Sequence, residues 1–383
     1  MCVGGYGLVS CYGTGAQAVV EPLRARRPGS APLTGLHLPL PETLPVNRMD
    51  PQRYPAGMAG TQAAMLAAAH EALTMAGLDR THALTDCALV LGGTGSLAIA
   101  EAEIRRVWER TGVATALPVT SAGAMARQLA TTLGLDGPVF CLATACASSA
   151  NALLVARDLI RRGQARRALV IGAERLSAIT LSGFQSLLLL DPAGCRPFDA
   201  ARRGLQLGEG VGALWLEPVP AGHADSGRRH RFHGGANLCD THHMTSASPD
   251  GGAMARVMQA ALTQAGVAAE EIVAIKAHGT GSADNDLAEA AAMKTVFGAR
   301  VPPFTGLKRG LGHTLAACGA VETVAFLACL DAGFIPPTAG FEAFDPALGV
   351  QPLVPAQDAP AGIYLYNFFG FGGNYGTLVI GHG

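Results

Sequence analysis

Three side chains could do chemistry, and each lies beside a run of small residues: Cys146, His278 and His313. Cys146 sits in Val139-Phe140-Cys141-Leu142-Ala143-Thr144-Ala145-Cys146-Ala147-Ser148-Ser149-Ala150. This stretch reads as a short apolar strand, a tight turn and then a helix. Ala150, Leu153, Leu154 and Ile160 recur at roughly helical spacing, and Arg161-Arg162-Gly163 suits a helix end. A thiol at a helix start faces unpaired N–H groups and the positive end of the dipole. Both favour the thiolate, which is the nucleophile. The plainer alternative for a lone cysteine is a buried structural thiol.

His278 lies in Ile275-Lys276-Ala277-His278-Gly279-Thr280-Gly281-Ser282, at a strand end followed by glycines. His313 lies in Leu307-Lys308-Arg309-Gly310-Leu311-Gly312-His313-Thr314-Leu315-Ala316-Ala317 and opens a small-residue helix that contains Glu322. Lys308 and Glu322 are expected to pair and orient the histidine. On a surface such a pair is worth little. Asn367-Phe368-Phe369-Gly370-Phe371-Gly372-Gly373-Asn374 combines glycines, which let a loop move, with aromatics that can close over an apolar ligand. Its plainer alternative is a glycine-rich turn over core aromatics. One cysteine and two imidazoles at strand ends suit thioester chemistry. The thiolate takes an acyl group, and N–H groups stabilise an oxyanion or enolate.

The elements that must position these groups alternate between strand and helix. Strands are expected over 1–12, 88–91, 168–174 and 208–217, and helices over 60–77 and 99–110. Residues 25–58 and 175–207 read as irregular or loop-rich. The polar stretch 219–230 is the best candidate boundary, giving halves 1–225 and 226–383. The second half echoes the first. Ala72–Leu78 returns as Ala261–Val267, Gly93–Ser96 as Gly279–Ser282, and Gly212–Leu216 as Gly376–Ile380. Three matches in order indicate two duplicated α/β units, with mixed sheets covered by helices and a site at their junction.

Bulk properties agree with a large core. The chain has 383 residues, 49% of them hydrophobic and only 15% charged, with a net charge of −1. That balance gives no support for nucleic-acid binding. The nine cysteines form no C-x-x-C pair and no zinc-ligand spacing, so free thiols in a reducing cytoplasm are expected, with no metal. The first ten residues lack a signal-peptide layout, and no apolar run is long enough to span a bilayer. Gly92-Gly93-Thr94-Gly95 lacks the acidic residue that a dinucleotide site requires, and no phosphate-binding loop motif is present, so no nucleotide cofactor is expected.

Taken together the motifs resemble the β-ketoacyl synthases, the condensing enzymes of fatty-acid and polyketide synthesis, along essentially the whole chain. The matching blocks are Thr144–Ser148, Arg196-Pro197-Phe198-Asp199 with Arg202 and Gly208-Glu209-Gly210, His278-Gly279-Thr280 with Asp286 and Glu289, Lys308 with Gly312-His313, Pro336-Pro337-Thr338, and Asn367–Gly373. The resemblance implies a thiolase-like fold, a duplicated five-layer αβαβα arrangement with two mixed sheets. It implies that Cys146 is acylated from an acyl carrier protein, and that His278 and His313 assist decarboxylation of a malonyl thioester and hold the enolate. It further implies that Lys308 and Glu322 organise the histidines, that the N–H groups of Cys146 and Phe371 form an oxyanion hole, and that Phe371 gates the acyl pocket. Thr280, Ser282, Phe369, Gly370 and Gly372 would contact substrate. Arg48, Arg53, Arg202, Arg203 and Arg309 are candidate carrier contacts, and no cofactor is implied. The Cys-His-His set is similar to the elongating branch. A homodimer, or a heterodimer with a homologue, is expected.

Four departures bear on acyl length and type: a short 97–125 region, Arg309-Gly310-Leu311 after the lysine, Arg203-Gly204-Leu205-Gln206, and Ser282 where threonine is common. They point toward a specialised polyketide or aryl-polyene pathway. Two other readings compete: a chain-length-factor-like partner subunit, and an acyltransferase that does not decarboxylate.

Overall fold

Ala88-Leu89-Val90-Leu91 and Ala168-Leu169-Val170-Ile171 are apolar at every position, as strands covered on both faces must be. In the computed structural model they lie inside a mixed sheet. The structure describes residues 1–34, 43–78, 84–93, 96–113, 121–219 and 230–383, apart from the side chains of 96–98 and 103. The first half contains β1 (Cys2–Ser10), α1 (Met58–Met75), β2 (Cys87–Gly92), α2 (Ser96–Thr111), α3 (Ala122–Leu133), β3 (Val139–Leu142), α4 (Ser148–Arg161), β4 (Arg167–Glu174), α5 (Ala178–Ser186) and β5 (Gly210–Glu217). The second contains β6 (His230–Cys239), α6 (Gly252–Ala265), β7 (Ile272–Lys276), α7 (Ala283–Phe297), β8 (Phe304–Thr305), α8 (Cys318–Asp331), β9 (Gly362–Gly370) and β10 (Asn374–His382).

The order in the first sheet is β1-β5-β4-β2-β3, with two antiparallel pairings followed by two parallel ones. The second sheet runs β6-β10-β9-β7-β8 with the same senses. The repeat read from sequence is therefore a repeat of topology. Gly212–Leu216 and Gly376–Ile380 lie in the equivalent strands β5 and β10, and Ala72–Leu78 and Ala261–Val267 close the equivalent helices α1 and α6. Thr94 and Gly95 of the third match lie outside the described residues. The two sheets meet where β1 and β6 pair antiparallel through Cys2 with Arg231 and Val3 with His230. With the short strand Gly13–Thr14 on β1, these ten strands form one eleven-stranded ladder.

Alternation along the strands sets five layers. Val90, Val170 and Leu214 of the first sheet, and Tyr364, Tyr366 and Leu378 of the second, share one core with α4 and α8. Leu89, Leu169 and Trp215 face α1 and α3. Ile275, Leu365 and Val379 face α6 and α7.

Small residues let the two central helices touch at their N-terminal ends. A Cβ on Gly319 would lie 2.2 Å from Ala150 N. Ser149 Oγ donates to Ala316 O at 2.7 Å and accepts from Ala320 N at 2.9 Å. Each helix is entered through a tight turn, Ala145–Ala147 or Leu315–Ala317. The first residue of each turn is a non-glycine in the left-handed region, Ala145 at φ 48° and Leu315 at φ 42°. That conformation costs roughly 1–2 kcal/mol, so packing must hold it.

Residues 175–207 depart from the loop-rich expectation because they contain α5. Its Ser177 cap accepts from Thr180 N, but the helix is short and lacks the polar face that makes a helix readable from periodicity. The boundary expected at 219–230 falls mostly on 220–229, outside the described residues, as do 114–120 of the short 97–125 region. Among the described residues no helix is long and apolar enough to cross a membrane.

Candidate active site

The turn before α4 puts Cys146 at the floor of a cavity of about 340 Å³. The thiol is buried, and His313 Nε2 stands 3.2 Å from Sγ. His313 is placed by its own backbone, which donates from N to Gln206 O at 2.6 Å and accepts from Gly208 N at 3.0 Å. His278 lines the same cavity, with its ring centroid 5.3 Å from that of His313 and the planes 83° apart. The first half thus supplies the thiol, and the second supplies both imidazoles.

Burial is complete around the charged pair behind the histidines. Lys308 Nζ donates to Glu322 Oε1 at 2.6 Å and to His278 O at 2.6 Å, and it stands 3.3 Å from His278 Nδ1. The pair expected to orient His313 therefore bears on His278. An ammonium only donates, so Nδ1 is the acceptor and the ring proton sits on Nε2. His278 is thereby fixed as a neutral N–H donor. Burial, followed by the Lys308 charge, holds both His278 and His313 well below the ordinary histidine range.

Burial also dominates at Cys146 and pushes its thiol up to about 11, against the pull of Lys308 and of the Phe371 N–H. The thiolate expected from a helix start is not the resting form. Cys146 lies in the turn before α4, and desolvation outweighs the local dipoles.

The loop after β7 is held by two buried carboxylates. Glu289 accepts from His278 N at 2.7 Å, Gly279 N at 2.8 Å and Asn367 Nδ2 at 3.2 Å, and burial raises it to about 7. Asp286 accepts from Phe198 N, Thr280 N and Gly281 N. Thr280 and Ser282 line the cavity, with their hydroxyls 2.9 Å apart.

On the opposite wall, Phe369 packs edge-on to His278 at 5.9 Å, and Phe371 stacks on Phe184 of α5 at 5.6 Å. Gly370 brings the β9 backbone against the nucleophile turn, where a Cβ would lie 2.9 Å from Cys146 N. Gly372 has φ 69° and donates from N to Met244 O at 2.6 Å, which turns the chain after the phenylalanine.

Three of the five arginines make polar contacts within the chain, and a fourth, Arg53, lies over the Tyr54 ring at 5.6 Å. Arg202 pairs with Asp345 at 2.5 Å, Arg309 donates to Ala193 O at 2.8 Å and Arg48 to Thr34 O at 3.1 Å. Arg53 and Arg203 are exposed, and Arg203 also lines the cavity.

Comparison with known families decides the classification. Residues 46–221 match the β-ketoacyl synthase N-terminal domain, and residues 232–342 match the C-terminal domain. The chain belongs to the β-ketoacyl synthase family. Nodulation protein E of Rhizobium meliloti (strain 1021) is 34% identical over 323 residues, 81% of this chain and 79% of that protein. 3-Oxoacyl-[acyl-carrier-protein] synthase 2 of Synechocystis sp. is 34% identical over 274 residues, 68% of this chain and 66% of its own. The solved ishigamide ketosynthase/chain length factor superposes with a TM-score of 0.88 at 30% identity, covering 100% of this chain and 98% of that one.

One residue of this β-ketoacyl synthase's charged cluster escaped the sequence reading. Lys276, at the end of β7, is fully buried and donates to Glu322 Oε2 at 2.7 Å and to Asn367 O at 2.8 Å, with its ammonium 3.7 Å from the Phe368 ring centre. Glu322 thus serves two ammonium groups. Burial holds Lys276 below its usual value, whereas at Lys308 burial, the largest single influence, is outweighed by the combined charge and hydrogen bonding of Glu322 with Cys318 and Glu289, and Lys308 is held above. Lys276 also contributes to keeping both histidines neutral. The available signal was a lysine closing the apolar run Ile272-Val273-Ala274-Ile275.

Proposed function

We propose that this β-ketoacyl synthase performs acyl transfer followed by decarboxylative condensation. The reading rests on one observation: the Cys146 thiol lies 3.2 Å from a neutral imidazole, in a cavity shared with a second imidazole fixed as an N–H donor. Sγ attacks the carbonyl of an acyl thioester as its proton passes to His313 Nε2, where it stays until Sγ is released again, and the carrier sulfur leaves as the thiolate. The malonyl thioester then loses carbon dioxide. The bonding pair passes into an enolate, whose oxygen is held by the Nε2–H of His278 and by His313. The enolate carbon attacks the acyl-Cys146 carbonyl, and the sulfur leaves to give a 3-oxoacyl thioester. The N–H groups of Cys146 and Phe371 serve as oxyanion donors, and Phe371, braced by Phe184, gates the acyl pocket.

In this reading Lys308 and Glu322 are positioning residues, with Lys276 as their third member. Thr280 and Ser282 face the pantetheine arm, and Phe369, Gly370 and Gly372 shape the wall that it passes. The donor is an acyl carrier protein that meets the chain at Arg53 and Arg203. The two halves, 1–225 and 226–383, divide nucleophile from imidazoles. The chain works in the cytoplasm, in a specialised polyketide or aryl-polyene pathway. It assembles as a dimer, with itself or with a homologous chain-length factor. Likeness to the ishigamide ketosynthase/chain length factor favours the second form of assembly.

Intact-protein mass spectrometry with a panel of acyl-carrier thioesters tests this reading. An adduct on the wild type that is absent from Cys146→Ala, and a condensed product once malonyl-carrier protein is added, is the expected result. An adduct without carbon dioxide release would make the chain a simple acyltransferase. No adduct from any donor would make it a partner subunit.

A further inference from the structure

The seam between the two sheets ends in a side-chain cluster that condensation does not use. His230 opens β6, and its cross-strand partner is His382 on β10. Their rings stack with centroids 5.2 Å apart and planes at 29°. Asp331, the last residue of α8, reaches both: its Oδ1 lies 3.1 Å from His230 Nε2 and 3.9 Å from His382 Nδ1. Tyr6 on β1 donates to Oδ2 of the same carboxylate at 2.5 Å. The active-site wall meets β10 at its other end, at Asn374, roughly 26 Å away at about 3.3 Å per residue.

The His230–Asp331 contact is at ion-pair distance, with an imperfect hydrogen-bond angle. His230 is buried, yet neither ring nitrogen makes a hydrogen bond of acceptable angle, so the 3.1 Å contact lies off the N–H axis. Two donors on one tetrahedral ion, each about 2.0–2.1 Å from it, stand about 3.3 Å apart and point at the ion rather than at each other. One ligating atom from each of the three residues lies within 4.8 Å of the others. The carboxylate also sits at the negative end of the α8 dipole, where a cation is favoured. Two imidazoles and a carboxylate suit a borderline first-row dication, with water completing the coordination. The side chains of Asp331 and His382 are 19% and 12% exposed, which gives an ion a route in.

We propose that His230, Asp331 and His382 form a binding site for a divalent transition metal of the zinc class, which fastens β6, β10 and the end of α8 together at the seam. Tyr6 is its positioning residue, holding the carboxylate. The donors come from three separate elements, so no spacing motif betrays them.

Untagged full-length protein, stripped with a chelator, is titrated with Co²⁺ and then with Zn²⁺. One equivalent of Co²⁺ should bind with the visible bands of a nitrogen–oxygen site and no thiolate-to-cobalt band, and Zn²⁺ should displace it. His382→Gln should weaken binding by at least about 100-fold, and Tyr6→Phe by about 10-fold. Zn²⁺ should raise the unfolding midpoint of the wild type and not that of His382→Gln. Asp331→Asn, nearly the same shape, replaces His382→Gln if circular dichroism shows the latter unfolded. Absence of a cobalt spectrum, or a spectrum unchanged in these variants, overturns the proposal. So does a thiolate band, which would assign the ion to the cysteines.

Discussion

Cys146→Ala should lose condensation by about 10⁴-fold or more and still release carbon dioxide from a malonyl thioester. In the proposed mechanism Cys146 Sγ carries the acyl group between carriers, which accounts for the size of the loss. The decarboxylation half needs no sulfur. It needs an N–H donor aimed at the thioester oxygen, and His278 receives its orientation from Lys308 and Glu289, not from the thiol. Carbon dioxide release and the appearance of an acetyl thioester, followed by mass spectrometry, separate the two halves of the reaction. Condensation surviving in the variant would remove Cys146 from the mechanism. Decarboxylation vanishing in a folded variant would mean that the sulfur helps to bind the malonyl group.

Glu322→Gln should destabilise the chain by about 3–5 kcal/mol, because it leaves two buried ammonium groups without their shared counter-charge. An amide accepts a hydrogen bond but supplies no charge, and neither lysine has room to reach water. Lys276→Met should cost clearly less, since it leaves the Lys308–Glu322 pair balanced. It should also raise the basicity of both histidines, because Lys276 is one of the charges that lower them. Denaturant midpoints for the two variants, compared side by side, check the ranking. Equal losses, or a Glu322→Gln loss under about 1 kcal/mol, would mean that the triad does not act as a charge unit.

That Cys146, His278 and His313 would share one cavity was legible because small residues cluster where a strand hands over to a helix, and that pattern is local. The duplication was legible for the same reason: the helix ends and strand starts repeat in order. What surrounded the reactive residues was harder to read. Lys276 and Glu322 meet across 46 positions, so only the folded chain shows that one carboxylate serves two lysines. Lys308 lies five residues before His313 in sequence yet touches His278, because the turn after β8 aims its side chain across the site. Arg202, a candidate carrier contact in the sequence, is held in the fold by Asp345, 143 positions later. Cys146 shows the same limit: a helix start favours the thiolate, and burial pushes its thiol the other way. A helix start is visible in sequence, whereas the depth at which it is buried is not.

The Ser149 hydroxyl joins α4 to its counterpart α8 in the other half through two hydrogen bonds, within the buried central layer. Phe371, the proposed gate, instead rests on a glycine turn and one aromatic stack. Local opening in proteins samples the weakly packed parts first and reaches the core only near global unfolding. Amides around 370–373 should therefore exchange with solvent deuterium at low free energy, while those of 149–154 and 319–324 exchange only with the whole chain. A warmed enzyme would then lose discrimination among acyl groups well before it loses its reactive thiol.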